Sequence, residues 1–139
     1  MQLRQISVFL ENNAGRLGDV TRVLAQAGIN LRAISIADTA DFGILRLIVN
    51  NNEVAIKALN DAGFTTRETP VAALEIEDSP GSLAQVMELF QNSKVNIEYL
   101  YASLSTKAGK AVVIFKLEDH EQGLQIVRAN GLSTIIETF

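Results

Sequence analysis

Residues 11–20 read ENNAGRLGDV, and residues 77–86 read EDSPGSLAQV. Each stretch follows an alternating apolar run, Ile6, Val8 and Leu10 in one case and Ala72, Leu74 and Ile76 in the other. Alternation of that kind marks a half-buried strand. Each stretch then leads into apolar residues at helical spacing: Leu17, Val20, Val23 and Leu24 in the first, Leu83, Val86, Met87 and Phe90 in the second. The same strand–loop–helix passage is therefore written twice. Gly15 falls on Gly81 and Leu17 on Leu83, an offset of 66 residues.

The repeat runs through the rest of the chain. Ile29-Asn30 falls on Val95-Asn96 at the same offset, and Ala62–Phe64 matches Asn130–Leu132 at an offset of 68. Two residues have been added between these points, near STKAGK (residues 105–110), where a hairpin tip absorbs them at little cost. In the first copy Gly28 closes the helix and Leu31–Ala37 is a strand. DTADFG (residues 38–43) is a turn, and Ile44–Val49 is a third strand. NNNE (residues 50–53) opens a helix carrying Val54, Ala55, Ala58, Leu59 and Ala62, closed by Gly63; Phe64–Glu68 is a fourth strand. In the second copy Ile97–Leu104 and Ala111–Leu117 form a hairpin. Asp119 caps a helix bearing Gly123, Ile126 and Val127; Gly131 closes it, and Leu132–Thr138 is the last strand.

This order predicts an α+β chain of two tandem ferredoxin-like βαββαβ sandwiches related by a pseudo-twofold axis, residues 1–69 and 70–139. Only Pro70 separates them. Pairing through the second strands would give one continuous eight-stranded antiparallel sheet with four helices on one face, and would remove two exposed edges.

The composition narrows the function. The chain has 139 residues, 47% apolar and 20% charged, enough to bury a core, and a formal charge of −4. That balance argues against a nucleic-acid partner, because phosphate binding needs a basic surface. Cysteine is absent, which removes thiolate catalysis, disulfides and Cys-based zinc sites. His120 is the only histidine and builds no metal cluster alone. No apolar run approaches the roughly 20 residues that span a bilayer, and MQLRQISVFLENN has no signal-peptide pattern. The expectation is a cytoplasmic protein with no membrane partner, no metal and no cofactor.

At the repeated junction, Ser79 before Pro80 reads as an N-cap with proline at the first helical position. Asn13 before Ala14 is the weaker copy. Gly15 and Gly81 then fall in the first turn, where glycine costs roughly 1 kcal/mol against alanine. Two readings follow. Glycine is there for turn geometry, or it lets a ligand approach backbone N–H groups that lack internal partners, at the end of the helix dipole that favours an anion. A small carboxylate suits that second reading.

The pattern strand–[Asn/Asp]-x-[Pro/Ala]-Gly-x-Leu–helix–[Ile/Val]-Asn-[Ile/Leu], present as NNAGRL…GINL and DSPGSL…KVNI, resembles the ACT domain, a small regulatory module that binds amino acids. Both copies resemble it over their whole length, as in stand-alone double-ACT proteins. The resemblance implies a free amino acid bound between modules, against one junction loop and the neighbour's second strand. Carried onto this chain, the ligand-contacting residues are Asn12, Asn13, Ala14, Gly15, Arg16, Leu17 and Asn30 with Ile34 and Ser35, and Asp78, Ser79, Pro80, Gly81, Ser82, Leu83 and Asn96 with Leu100 and Tyr101. First-turn N–H groups would take the carboxylate, and Asp78 the ammonium by a charge-assisted bond. Asn12 offers only a carbonyl, so the Asp78 loop, facing the strand around Ala33–Ile36, is expected to be the stronger site. Asn30 and Asn96 also read as ordinary helix C-caps.

Other residues carry weaker expectations. Phe9, Ile44 and Ile48, with Val112 and Ile114, should point away from the helices; two chains are expected to pack on that apolar face, or edge to edge, as a homodimer, the other reading being scattered exposed apolar residues. Arg16 and Arg32 could reach a ligand carboxylate, but read first as solvated surface charges. Tyr99 and Tyr101 read as cross-strand packing or as ligand contacts, and His120 as a surface residue. Acylphosphatases share the strand order but need an arginine in a glycine-rich loop, with an asparagine to orient water, and Arg16 falls outside such a signature. No other catalytic set appears, so no catalytic residue is expected. RNA-recognition modules need aromatic and basic residues on the middle strands, where this chain has ILRLIV and AVVIFK. The alternative to an amino-acid sensor is a ligand-free interaction module, for instance a regulatory subunit of a metabolic enzyme.

Overall fold

The structure, a computed structural model, describes residues 2–38, 41–104 and 107–135. It contains β1 (Arg4–Glu11), α1 (Arg16–Gln26), β2 (Leu31–Asp38), β3 (Phe42–Val49), α2 (Asn52–Asp61), β4 (Thr65–Pro70), β5 (Ala72–Glu77), α3 (Ser82–Asn92), β6 (Ile97–Leu104), β7 (Lys110–Leu117), α4 (His120–Ala129) and β8 (Ser133–Ile135). The order βαββαβ occurs twice, as the repeat predicts. The chain forms two compact units. The first is built on residues 4–69; the second on residues 70–135 together with residues 2–3. The second unit draws in the chain start through Leu3, which is buried and accepts a hydrogen bond from the Val71 N–H at 3.1 Å.

Each unit has a four-stranded sheet, ordered β2-β3-β1-β4 in the first and β6-β7-β5-β8 in the second. In the first, Ile6 lies opposite Leu47 and Val8 opposite Leu45. Opposed residues share a face, and these four meet Val20 and Leu24 of α1 and Ala55 and Leu59 of α2 in one buried cluster. Both helices therefore cover the same side of the sheet. The second unit repeats the arrangement with Leu74 opposite Val113, and Phe90 of α3 packs on Phe115 at 5.6 Å between ring centroids. Burial of each such side chain contributes roughly 1.5–3 kcal/mol before entropy is counted. The described pairings thus make two separate four-stranded sheets; eight-stranded continuity is not among them.

The extra residues of the second copy sit in its hairpin. Three residues separate β2 from β3, and five separate β6 from β7. Thr39 and Ala40 of the first turn and Ser105 and Thr106 of the second lie outside the described residues, as do residues 136–139, onto which the expected last strand extends.

Helix α2 carries Val54 as expected, on its exposed side, while Ala55 and Leu59 form the inward face. Two sequence expectations need correction. The apolar face expected to receive a second chain is largely closed: Ile48, Val112 and Ile114 are buried, Ile44 is half-buried, and Phe9 alone of that set is exposed. His120 is half-buried rather than a surface residue, and lines a small cavity of about 60 Å³ with Leu3 and Val71.

All four helices end the same way. In α1 the Gly28 N–H bonds the Ala25 carbonyl and the Ile29 N–H bonds the Leu24 carbonyl, and equivalent pairs close α2, α3 and α4. This double closure needs a left-handed residue just past the helix. Gly28, Gly63 and Gly131 supply it, but α3 uses Lys94 at φ 58°. A left-handed L-residue costs roughly 1–2 kcal/mol, of which glycine's greater unfolded-state freedom returns about 0.5–1. Lys94→Gly is accordingly expected to stabilise the protein by about 0.5–1 kcal/mol, read as a rise in the urea midpoint at unchanged slope.

Candidate functional site

The two junctions between first strand and first helix are built alike. Helix α1 starts at Arg16 behind Gly15 at φ 86°, and α3 starts at Ser82 behind Gly81 at φ 90°. The expected start at Ser79-Pro80 is therefore corrected: both residues precede the helix, because Gly81 has a backbone conformation no helix contains. Asn13 and Ala14 precede α1 in the same way. A Cβ placed on either glycine would meet nothing within 4 Å. The glycine answers a demand for positive φ and not close packing by the protein itself, and the space in front of it is open.

The helix ends behind these glycines carry no side-chain cap. The helices on the opposite connection differ. Asn51 caps α2 by accepting from the Val54 N–H at 3.1 Å, and Asp119 caps α4 by accepting from the Gln122 N–H at 3.1 Å. In α1 the first intrahelical bond is Asp19 N–H to Gly15 O, and in α3 it is Gln85 N–H to Gly81 O. The Arg16 and Ser82 amides reach back to the Asn13 and Ser79 carbonyls at 3.3 Å. The donors best placed for an anion are then Leu17 and Gly18, or Leu83 and Ala84, one residue beyond the set read from sequence. Gly18 and Ala84 escaped that reading because the helix starts later than its caps suggested.

The position before each loop is also fixed twice. The Asn12 N–H bonds the Asp41 carbonyl at 2.9 Å, and the Asp78 N–H bonds the Gly109 carbonyl at 2.9 Å. Each loop is thereby tied to the hairpin turn beside it, and Asn12 and Asp78 are exposed. Asp41 and Gly109 carry the offset of 68, the signal by which their shared role could be found. Ser79 and Ser82 join their hydroxyls at 2.9 Å, while the Asn13 amide reaches the Glu11 carboxylate at 3.2 Å.

Asn30 and Asn96 stand elsewhere. The Asn30 N–H bonds the Asn50 side chain at 3.0 Å, and the Asn96 carbonyl accepts from the Glu118 N–H at 3.0 Å. Leu31 pairs with Val49 at that end of the sheet and Asp38 with Gly43 at the other. Within one unit, Asn12 and Asn30 thus sit at opposite ends of an eleven-residue helix, roughly 16 Å apart along its axis. Asp78 and Asn96 are separated likewise across α3.

On the second strands, Ile34 lies opposite Leu47 and Ile36 opposite Leu45, so both face the helix side, yet they are 48% and 50% exposed. Ser35 is half-buried on the other face. Leu100 packs against its own unit's core, and Tyr101, opposite Ile114, is buried. Leu17 and Leu83 are exposed beside the open helix ends.

Arg16 is not the solvated charge expected. Its guanidinium carbon lies 4.5 Å over the Phe64 ring, and Nη1 reaches Asp19 at 3.4 Å. A cation over an aromatic face is stabilised by about 0.5–2 kcal/mol. Among the described residues no group of three or more His, Cys, Asp or Glu could hold a metal, and no helix is long and apolar enough to cross a membrane.

Two βαββαβ units, each with a glycine-led and uncapped first helix, define a tandem ferredoxin-like protein. The sequence profile of the ACT domain pair matches residues 1–138, and the chain belongs to that family. Protein BT0572 from Bacteroides thetaiotaomicron is 36% identical, with a TM-score of 0.93 over 99% of this chain and 94% of that one. The ligand-free regulatory subunit of aspartate kinase from Thermus thermophilus is 21% identical, with a TM-score of 0.67 over 91% of each chain. The corresponding subunit from Thermus flavus is 20% identical, with a TM-score of 0.63 over 93% of this chain and 92% of that one. No curated protein matches the chain in sequence.

If positive φ is what the junction glycines supply, Gly81→Ala will cost about 0.5–1 kcal/mol, the left-handed penalty less what alanine's smaller unfolded-state freedom returns. Gly18→Ala, inside α1 where the nearest atom to a new Cβ is an Arg22 nitrogen at 4.0 Å, will instead gain about 0.5–1 kcal/mol. Urea unfolding of the two variants checks the opposite signs.

Proposed function

We propose that this ACT pair is a non-catalytic sensor of a free amino acid, bound where the junction loop of one unit meets the second strand of the other. One observation carries the reading. Of the four helices, α2 and α4 have their first amides closed by side-chain caps, while α1 and α3 are led by glycine and left uncapped. A helix end kept open in this way favours a carboxylate. In the reading, Leu83 and Ala84, with Gly81 and Ser82, hold that group, and the Asp78 carboxylate takes the ammonium. Ala33–Ile36 and Asn30 would come from the neighbouring unit, since within one unit the asparagine lies too far from the loop. The mirror site uses Asn12, Asn13 and Ala14 with Gly15–Leu17, and Leu100, Tyr101 and Asn96 opposite. Merged sheets would be one way to bring these parts together. Homodimerisation and contact with a metabolic enzyme in the cytoplasm belong to the same proposal, and its ligand-free alternative is a pure interaction module.

A thermal-shift screen against the twenty amino acids separates the two. A ligand at 100 times its Kd adds about 2.7 kcal/mol of stability; a flat screen favours the interaction module. For the amino acid that responds, calorimetry will give a loss of tenfold or more in affinity for Asp78→Ala, in line with about 1.5–3 kcal/mol for a charge-assisted bond. Asn12→Ala will lose less, and equal losses would reject Asp78 as the stronger site.

A further inference from the structure

A cleft of about 490 Å³ opens in the second unit between the outer face of α3, the end of β5 and the segment after α4. Its walls include Ser82, Gln85, Glu88 and Leu89 of α3, with Glu77 and Leu132 opposite. At the repeat offsets, Ser82, Gln85 and Leu132 correspond to Arg16, Asp19 and Phe64 of the first unit. There those three side chains already interlock, the guanidinium over the ring and held by the carboxylate. Where the first unit carries its own arginine side chain, the second has a serine hydroxyl, and where the first has a phenylalanine, the second has a leucine. Helices α1 and α3 begin alike behind their glycines, and the three side chains that meet in the first unit do not recur in the second.

Charge points the same way. Glu75, Glu77 and Glu88 line the cleft with one cation, Lys110, and Lys107 reaches Glu75 at 3.4 Å from outside that lining. Lys110 is engaged by Glu77, which holds its pKa above the ordinary lysine value. The lining is thus net negative, over a floor that includes Ile76, Val86 and Leu89. An apolar stem ending in a delocalised cation matches both features, and the volume lies in the range of small-molecule sites.

We propose that this cleft binds a free small molecule bearing a guanidinium on an aliphatic stem, the chemistry Arg16 supplies to the first unit from within. The stem lies along Val86, Leu89 and Leu132, and the cation meets Glu88, since Glu75 and Glu77 are already engaged by Lys107 and Lys110. The site adjoins the junction loop and shares Ser82 with it, but Asp78 does not line it, and no carboxylate on the ligand is required.

The test uses the full chain and two probes of nearly equal shape, n-butylguanidinium and the uncharged n-butylurea, followed by amide shifts in an NMR titration. Butylguanidinium is expected to move the Gln85, Leu89 and Leu132 amides saturably, with at least tenfold tighter binding than butylurea. Asp78→Ala should leave that binding unchanged. The triple variant Ser82→Arg, Gln85→Asp, Leu132→Phe rebuilds the first unit's arrangement and should abolish it. Equal binding of the two probes, shifts that never saturate, or full binding to a folded triple variant would overturn the proposal. The comparison of probes on the unaltered chain decides the matter even if the triple variant does not fold.

Discussion

The whole arrangement hangs on a backbone angle. At Gly15 and Gly81 the chain turns through positive φ immediately before entering a helix. Only glycine takes that conformation without steric cost, and a residue in it cannot double as a side-chain cap. The helix therefore begins with its amides open, just where the strand before it ends. The Asn12 and Asp78 amides, anchored on hairpin carbonyls, hold the loop in place, so the open end belongs to a fixed surface. At the start of α2 and α4 the same fold makes the opposite choice, with Asn51 and Asp119 satisfying the amides from within.

The two units keep their backbone bonds and differ in their side chains. Loop-to-hairpin ties and the Asn50 and Glu118 contacts with Asn30 and Asn96 recur at matching offsets. What changed lies on the helical face. Arg16 stacked on Phe64 fills one unit, and Ser82 beside Leu132 leaves the other open. Duplication preserves what the fold needs and frees the rest, so differences between copies point to specialised chemistry more sharply than their similarities do. The loop difference of Asn12 against Asp78 follows the same logic.

Much of the fold was legible because it is periodic. Alternation at Ile6, Val8 and Leu10, helical spacing at Val20 and Leu24, and the cap at Asp119 each have a local cause, and each is present in the folded chain. The helix starts were misread at Ser79-Pro80 because a good cap was present, while the deciding property, the sign of φ at Gly81, has no side chain to announce it. Burial of Ile48, Val112 and Ile114 was missed because alternation says which face a residue takes and nothing about what covers that face. The stack of Arg16 on Phe64 joins residues 48 positions apart, and no spacing rule reaches across that distance. Glycine at both junctions was visible from the start; that it leaves the helix end open became clear only beside the capped ends of α2 and α4.

The most direct measurement is an amide-resolved NMR titration of the full chain with an equimolar mixture of the twenty amino acids. Saturable movement of the Leu83 and Ala84 amides is expected, with weaker movement at Leu17 and Gly18, while the Val54 and Gln122 amides, closed by their caps, stay in place. Stationary amides at both open ends, or shifts as large at the capped ends, would contradict the account.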